Sequence, residues 1–178
     1  PVTNFDTIEE VEEWKTKHDI VVLLFGGEEK ETFTSFAVGY DNAEFGYCDN
    51  DEVREHYKAK EGGVVLFKNF DEKKNYIPGV YSFTTLQNWV GNNSIPTLIE
   101  FEEKYSKLIY DEQRPSLIVF YDQNGQKADQ IEDVLIEFSR RIKGRLVTMQ
   151  TGIVEAEQKK FAENLGVKAS DLPLVLIL

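Results

Sequence analysis

The chain has little of several residue types, and each shortage removes a class of protein. Its 178 residues include one cysteine, one methionine and two histidines. A lone Cys48 cannot close an intrachain disulfide, so no disulfide framework holds the fold, and redox compartment stays open. No apolar run approaches the ~20 residues of a membrane-spanning helix. Basic residues are outnumbered, 20 Lys and Arg against 32 Asp and Glu, for a net charge of −12. A nucleic-acid reader shows a basic patch, and the sequence displays none. Neither nucleic acid nor a membrane is therefore expected as a partner. No acidic run is long enough to read as a disordered tail. The plain reading of the surplus is a well-hydrated surface. Pro1 follows no initiating Met or signal peptide, which suggests a piece excised from a longer chain. Asn92-Asn93-Ser94 is a glycosylation sequon, informative only in a secreted setting.

What is present is apolar periodicity: 41% of residues are hydrophobic and 12% aromatic, enough for one large domain or two small ones. Val2, Thr3 and Asn4 can open a short strand. Thr7-Ile8-Glu9-Glu10 has the capping-box pattern, with Ile8, Val11 and Trp14 on one face of a helix over 7–18. The continuous apolar run 20–25 reads as a strand buried on both sides. Phe33, Phe36 and Ala37 mark a helix over 29–42. A strand over 44–48 follows, then a helix over 51–60 capped at Asn50 or Asp51. Residues 64–70 and 75–77 pair as a hairpin across Asp71-Glu72-Lys73-Lys74, and Ser82 caps a helix carrying Leu86, Trp89 and Val90.

After the polar joint at 91–94 the pattern starts again. A strand over 97–100 leads to Phe101, Tyr105, Leu108 and Ile109, spaced i, i+4, i+7 and i+8 for a helix. Strand 117–121 and a turn over 122–125 follow. Ile131, Val134, Leu135, Phe138 and Ile142 form a long helix stripe that stops at Gly144. Strand 146–150, a helix marked by Val154, Phe161, Ala162 and Leu165, and a last strand over 174–178 complete the chain. The two halves repeat one order of elements in unlike sequences. The expectation is α/β with tandem domains, 1–93 and 94–178, each a central mixed sheet flanked by helices. The second is expected to be truncated at its C-terminal side, without the last strand and helix.

In open α/β folds reactive groups gather where a strand meets the next helix. The sequence places Gly27-Glu28-Glu29-Lys30 there in the first half and Asp122-Gln123-Asn124-Gly125 in the second. Neither holds a thiol, a hydroxyl nucleophile or a histidine. Glu28 and Glu29 read as helix-start acids that favour the macrodipole. His18 and His56 read as solvated helix ends, and Cys48 as a small packed residue. Glu9, Glu10, Glu12 and Glu13 lack the alternating oxygen ligands and central glycine of a calcium loop. No metal site and no cofactor are expected.

The segments GGVVLFKNFDEKKNYIPG (62–79), IPTLIEF (95–101) and NLGVKASDLPLVLIL (164–178) together resemble the two non-catalytic domains of protein disulfide isomerases, b and b′. The resemblance implies thioredoxin folds throughout and flanking catalytic thioredoxin domains in the parent chain. It also implies residence in the endoplasmic reticulum lumen and a role in oxidative protein folding. A catalytic thioredoxin domain carries Cys-x-x-Cys where the two junctions above stand, so this chain is expected to have no catalytic residue of its own. The resemblance also implies a cis proline at Pro173, before the last strand.

In the family, b′ binds unfolded polypeptide in an apolar cleft between its first and third helices and the sheet. Carried over by position, the cleft residues are Phe101, Ser106 and Tyr110, then Phe161, Asn164 and Leu165, with Met149 on the strand beneath. The other reading of the apolar members is ordinary core. Function is thus expected to be a scaffold and chaperone-like peptide-binding module whose partners are unfolded or misfolded polypeptides. Two alternatives are a calsequestrin-type protein of weak calcium affinity and a docking module for lectin-like chaperones. The interleaved basic residues argue against the first, and the second half's charge, 11 basic against 14 acidic residues, against the second.

Overall fold

The structure is a computed structural model that describes residues 1–79 and 82–178. Contacts divide the chain into two compact units, Pro1–Pro96 and Thr97–Leu178. The first runs β1 (Val2–Phe5), α1 (Ile8–Lys17), β2 (Ile20–Phe25), α2 (Lys30–Val38), β3 (Glu44–Cys48), α3 (Asp51–His56), β4 (Gly63–Lys68), β5 (Lys74–Ile77) and α4 (Phe83–Asn93). Its sheet has the order β1-β3-β2-β4-β5. β1, β3 and β2 are parallel, and β4 and β5 each run antiparallel to the neighbour they join. Thr7 and Glu10 form the reciprocal capping box that starts α1. Asn50 Oδ1 caps α3 and the Ser82 hydroxyl caps α4.

The first unit's sheet is buried on both faces. Val22, Leu24, Val64 and Leu66 meet Phe33 and Phe36 of α2 and Leu86 and Val90 of α4. On the other face Val21, Leu23, Phe25 and Val65 meet Val11 and Trp14 of α1 and Val53 of α3. This double burial is why β2 reads as an unbroken apolar run rather than an alternating one.

The second unit runs β6 (Ile99–Glu100), a 3₁₀ turn (Glu103–Tyr105), α5 (Lys107–Tyr110), β7 (Ser116–Phe120), α6 (Ala128–Ile142), β8 (Val147–Thr151), α7 (Ala156–Asn164), a second 3₁₀ turn (Ala169–Asp171) and β9 (Leu174–Ile177). Its sheet order, β6-β8-β7-β9, repeats the first four positions of the other sheet. β9 runs antiparallel to β7 and lies at the sheet edge. The Leu172–Pro173 peptide before β9 is cis.

Several expected boundaries are corrected. The helix expected over 29–42 ends at Val38, where the Gly39 N–H turns back to the Phe36 carbonyl. The helix expected over 51–60 ends at His56, because Lys58 takes a left-handed φ of 55° and Ala59 bonds back to Arg54. Phe101 is not helical. Its N–H bonds to the Gln150 carbonyl and so extends the strand pairing beyond β6. Val154 also lies outside its helix, since the Gln158 side chain accepts from the Val154 and Glu155 N–H groups and starts α7 at Ala156. Finally, the α6 stripe is only partly core: Leu135 is buried, whereas Val134 is 66% and Phe138 38% exposed. Val175 and Ile177 of β9 are exposed as well.

Candidate functional site

At the end of β2 the backbone leaves no room for a side chain at position 27. Gly26 and Gly27 take φ of 57° and 84°, a region that side chains other than glycine's enter at a cost. A Cβ on Gly27 would lie 2.6 Å from the Gly62 Cα. The two segments are drawn together by the Gly62 N–H, which donates to the Phe25 carbonyl at 2.6 Å. α2 begins only at Lys30, and Glu29 caps it without a side-chain hydrogen bond. The one thiol is elsewhere: Cys48 is 1% exposed, and burial, then the charges of Asp6, Asp49 and Glu10, push its pKa up. A thiol kept protonated and out of reach is a poor nucleophile.

The second junction is a tight turn. Asp122 accepts from the Asn124 N–H through Oδ1 at 3.1 Å and from the Gly125 N–H through its carbonyl at 3.1 Å. Around it lies a groove of about 650 Å³, lined in part by Gln123, Gly152, Val154, Gln158 and Leu172. Gln123 Nε2 donates to both Glu100 oxygens at 2.8 and 3.1 Å. Burial and the neighbouring Glu132 hold the Glu100 carboxyl above its ordinary range. Glu132 in turn accepts from Gln150, whose Oε1 accepts from the Tyr121 hydroxyl at 2.6 Å. The groups are amides, carboxyls and a phenol, with no nucleophile and base in contact.

The seven positions expected to form a cleft divide in three. Phe101, Ser106, Tyr110, Phe161 and Asn164 line one shallow groove of about 210 Å³ between the α5 and α7 segments. Met149 is wholly buried and shares a sheet face with Phe120, on which Phe161 packs. Leu165, at the C-cap of α7, is half-buried and outside the groove lining. Within the groove the aromatic rings differ in access. The Phe101 and Phe161 rings stack at 4.0 Å and 8°, with 6% and 2% of each residue exposed. Tyr110 meets the edge of Phe161 at 6.4 Å and is 44% exposed. Tyr110 is therefore the aromatic wall open to solvent, and Phe161 is floor rather than an opposing wall.

The rim is charged, which the apolar cleft positions do not indicate. Glu103, Glu157 and Lys160 line the same groove. The Glu103 N–H donates to Glu157 Oε2 at 3.2 Å, and Lys160 Nζ stands 3.6 Å from Glu103. The sequence does carry a signal for two of them: positions 157, 160, 161 and 164 share one stripe of α7. Elsewhere, the acids of α1 have local employment. Glu10 caps, Glu13 pairs with Lys17, and Glu12 takes Lys15 and the Tyr57 hydroxyl. Among the described residues there is no group of three or more His, Cys, Asp or Glu side chains that could hold a metal ion. No helix among them is long and apolar enough to cross a membrane.

The family model of a thioredoxin-like domain matches residues 25–178. Over 183 residues the chain is 25% identical to a protein disulfide-isomerase of Drosophila melanogaster, covering 100% of this chain and 37% of the relative. A protein disulfide-isomerase of Ricinus communis is 29% identical, over 86% of this chain and 32% of the relative. The chain thus spans about a third of the length of the curated relatives it matches. Among solved structures, the bb fragment of ERp72 aligns with a TM-score of 0.61 at 16% identity, over 94% of this chain and 80% of that one. The zinc-bound form of human ERp44 aligns with a TM-score of 0.62 at 14% identity, over 99% and 51%. At these identities the structures speak for the fold alone.

Proposed function

The chain belongs to the thioredoxin-like domain family, as a non-catalytic segment of the protein disulfide isomerase type, and on that premise we propose that it is the b and b′ pair of such an isomerase. Its role is to bind unfolded polypeptide and to space the flanking catalytic domains of its parent in the endoplasmic reticulum lumen. The parent carries the isomerase activity, and this segment carries recognition.

The observation that supports this reading is the groove between α5 and α7, where the half-exposed Tyr110 ring stands over a stacked aromatic floor. A site that accepts many unfolded chains depends on apolar contact more than on directional hydrogen bonds. Burying one aromatic ring contributes roughly 1.5–3 kcal/mol before ordering costs. Affinity is therefore expected on the order of micromolar to millimolar.

The test is a titration of the 178-residue chain with an unfolded, thiol-free peptide, followed by NMR amide shifts. Shifts should localise to the segments around Tyr110 and Asn164. Tyr110→Ala should weaken binding about tenfold while leaving the spectrum of the first unit unchanged. Binding as tight as in the parent, in a folded Tyr110→Ala protein, would place the polypeptide surface elsewhere.

A further inference from the structure

The first unit carries a cationic cavity that polypeptide binding does not use. Residues 1–92 contain nine Lys and Arg against eighteen Asp and Glu. Five of those nine nevertheless converge on one corner. Lys15, Lys68, Lys73 and Lys74 line a cavity of about 280 Å³ together with His18 and Phe67. Lys58 lies within electrostatic reach of Lys74.

The fold assembles this corner from three places. The β4–β5 hairpin sets Lys74 opposite Phe67 in register, and the turn between the strands carries Lys73. The last turn of α1 brings Lys15, whose ammonium sits 4.2 Å from the centre of the Phe67 ring. The segment after α3 brings Lys58. Lys74 Nζ donates to the Tyr57 carbonyl at 3.0 Å, which ties the charge to the cavity wall. Lys68 contributes rigidity: its side chain is fully buried, donating to Glu72 at 3.0 Å and to the Asn93 carbonyl at 3.1 Å.

The nearby carboxylates leave an excess of positive charge. Glu12 is engaged by Lys15 at 2.9 Å and by the Tyr57 hydroxyl, and Glu72 by Lys68 and Asn75. Asp19 is the carboxylate in the lining itself. Burial, and then the like charges of Lys15 and Lys58, lower the pKa of Lys74. Crowded ammonium groups beside an aromatic floor are stabilised by an oxyanion, and lysine serves phosphate as a mobile point charge with three donors.

We propose that this cavity is an oxyanion site that takes a single phosphoryl group, held by Lys15, Lys73 and Lys74. Its volume falls below the ~300 Å³ at which drug-sized ligand pockets begin, so one small group fits and a nucleotide does not. The group could arrive as free phosphate or on a phosphorylated side chain; both present the same dianion. The site lies within the first unit and stands independently of the polypeptide groove.

The experiment titrates the intact chain with sodium phosphate against sodium chloride at matched ionic strength. Readouts are the amide shifts of residues 67–74 and the Nζ signal of Lys74. Phosphate should give saturable shifts at Lys15, Lys73 and Lys74, and should raise the pH at which Lys74 titrates. Lys74→Met should weaken binding about tenfold, and Lys15→Met with Lys74→Met should abolish it. A phosphoserine peptide binding more tightly than inorganic phosphate, with its unphosphorylated twin inert, identifies the protein-borne source; the reverse order identifies the free anion. Shifts that stay linear, or a folded Lys74→Met protein with unchanged affinity, overturn the site. Should Lys74→Met fail to fold, the wild-type Nζ titration decides alone: no upward movement under phosphate refutes the proposal.

Discussion

Replacing Phe161 by alanine separates core from cleft within the groove. The ring is 2% exposed, stacks on Phe101 at 4.0 Å and lies 5.8 Å from Phe120. Its loss removes apolar burial and leaves a cavity among rings that cannot all move inward, at a cost of about 3–5 kcal/mol. A domain of this size has a total stability of roughly 5–15 kcal/mol, so the second unit should lose a large fraction of its own. With a urea m-value of ~1.5 kcal/mol/M, its unfolding midpoint should fall by about 2–3 M. Tyr110→Ala removes a ring that is already 44% exposed and should cost no more than about 1 kcal/mol. The assay is urea denaturation followed by backbone NMR signals, so that each unit is read separately. Phe161→Leu keeps most of the volume at about 1–1.5 kcal/mol and provides a folded protein in which peptide affinity can be measured. If Phe161→Ala cost less than about 1 kcal/mol, the ring would have to leave the core readily, and its placement as floor would be wrong.

Three further outcomes follow from the same structure. The chain should show no thiol–disulfide exchange with insulin or a scrambled disulfide protein, and Cys48 should react with a thiol reagent only at the rate of unfolding. Turnover that persists in Cys48→Ser would refute this. Gly46→Ala should destabilise the first unit by about 1–3 kcal/mol through overpacking, because its Cβ would lie 2.7 Å from the Phe5 ring and 2.8 Å from Trp14; a variant with an unchanged melting temperature contradicts that. The Glu72 carboxyl is pushed up by burial, but hydrogen bonds from its own backbone, Asn75 and Lys68 hold it at about 2, against an ordinary value of 4.5. Its contribution to stability is therefore complete above pH 4.5 and lost as pH falls toward 2, since the unfolded chain binds the proton first. With the Glu72 side chain 43% exposed, screening limits the effect to about 1 kcal/mol or less. Lys68→Met should flatten the stability curve between pH 4.5 and 2; an equally steep curve would mean that Lys68 does not hold Glu72 down.

How far the sequence was readable depended on whether a signal was local. β2 and β3 are found at their expected bounds because an apolar run, or a short alternation, ends at glycines or charges. The α1 cap is legible because Thr7 and Glu10 are three residues apart and satisfy one another. Phe101 is spaced from Tyr105 and Leu108 as a helix would space it, while the bond that fixes it comes from Gln150, 49 positions away. Val134 and Phe138 show a related limit. Period 3.6 identifies a helix face but not what opposes it, and both side chains are exposed on α6. In the groove, five of the seven family positions line one depression, and family position does not rank their access. Tyr110 and Phe161 look alike as aromatic letters; only the stacking on Phe101 separates floor from wall.

The β2–α2 junction is shaped by backbone as well as by side chains, and this bears on what a thiol there would require. A thiol at a helix start needs helical N–H groups aimed at it and open space before it. In the first unit that space is taken: Gly27 lies against Gly62 in a left-handed conformation, and α2 starts three residues later. Cysteine at position 27 would meet the Gly62 Cα at 2.6 Å before it met any substrate. In the second unit, Asp122 occupies the turn by accepting from the N–H groups of Asn124 and Gly125. At the first junction a cysteine at position 27 would therefore need the backbone to move. Side chains can change at lower steric cost on exposed helix faces, such as the Tyr110 and Asn164 side of the α5–α7 groove, than in this packed junction.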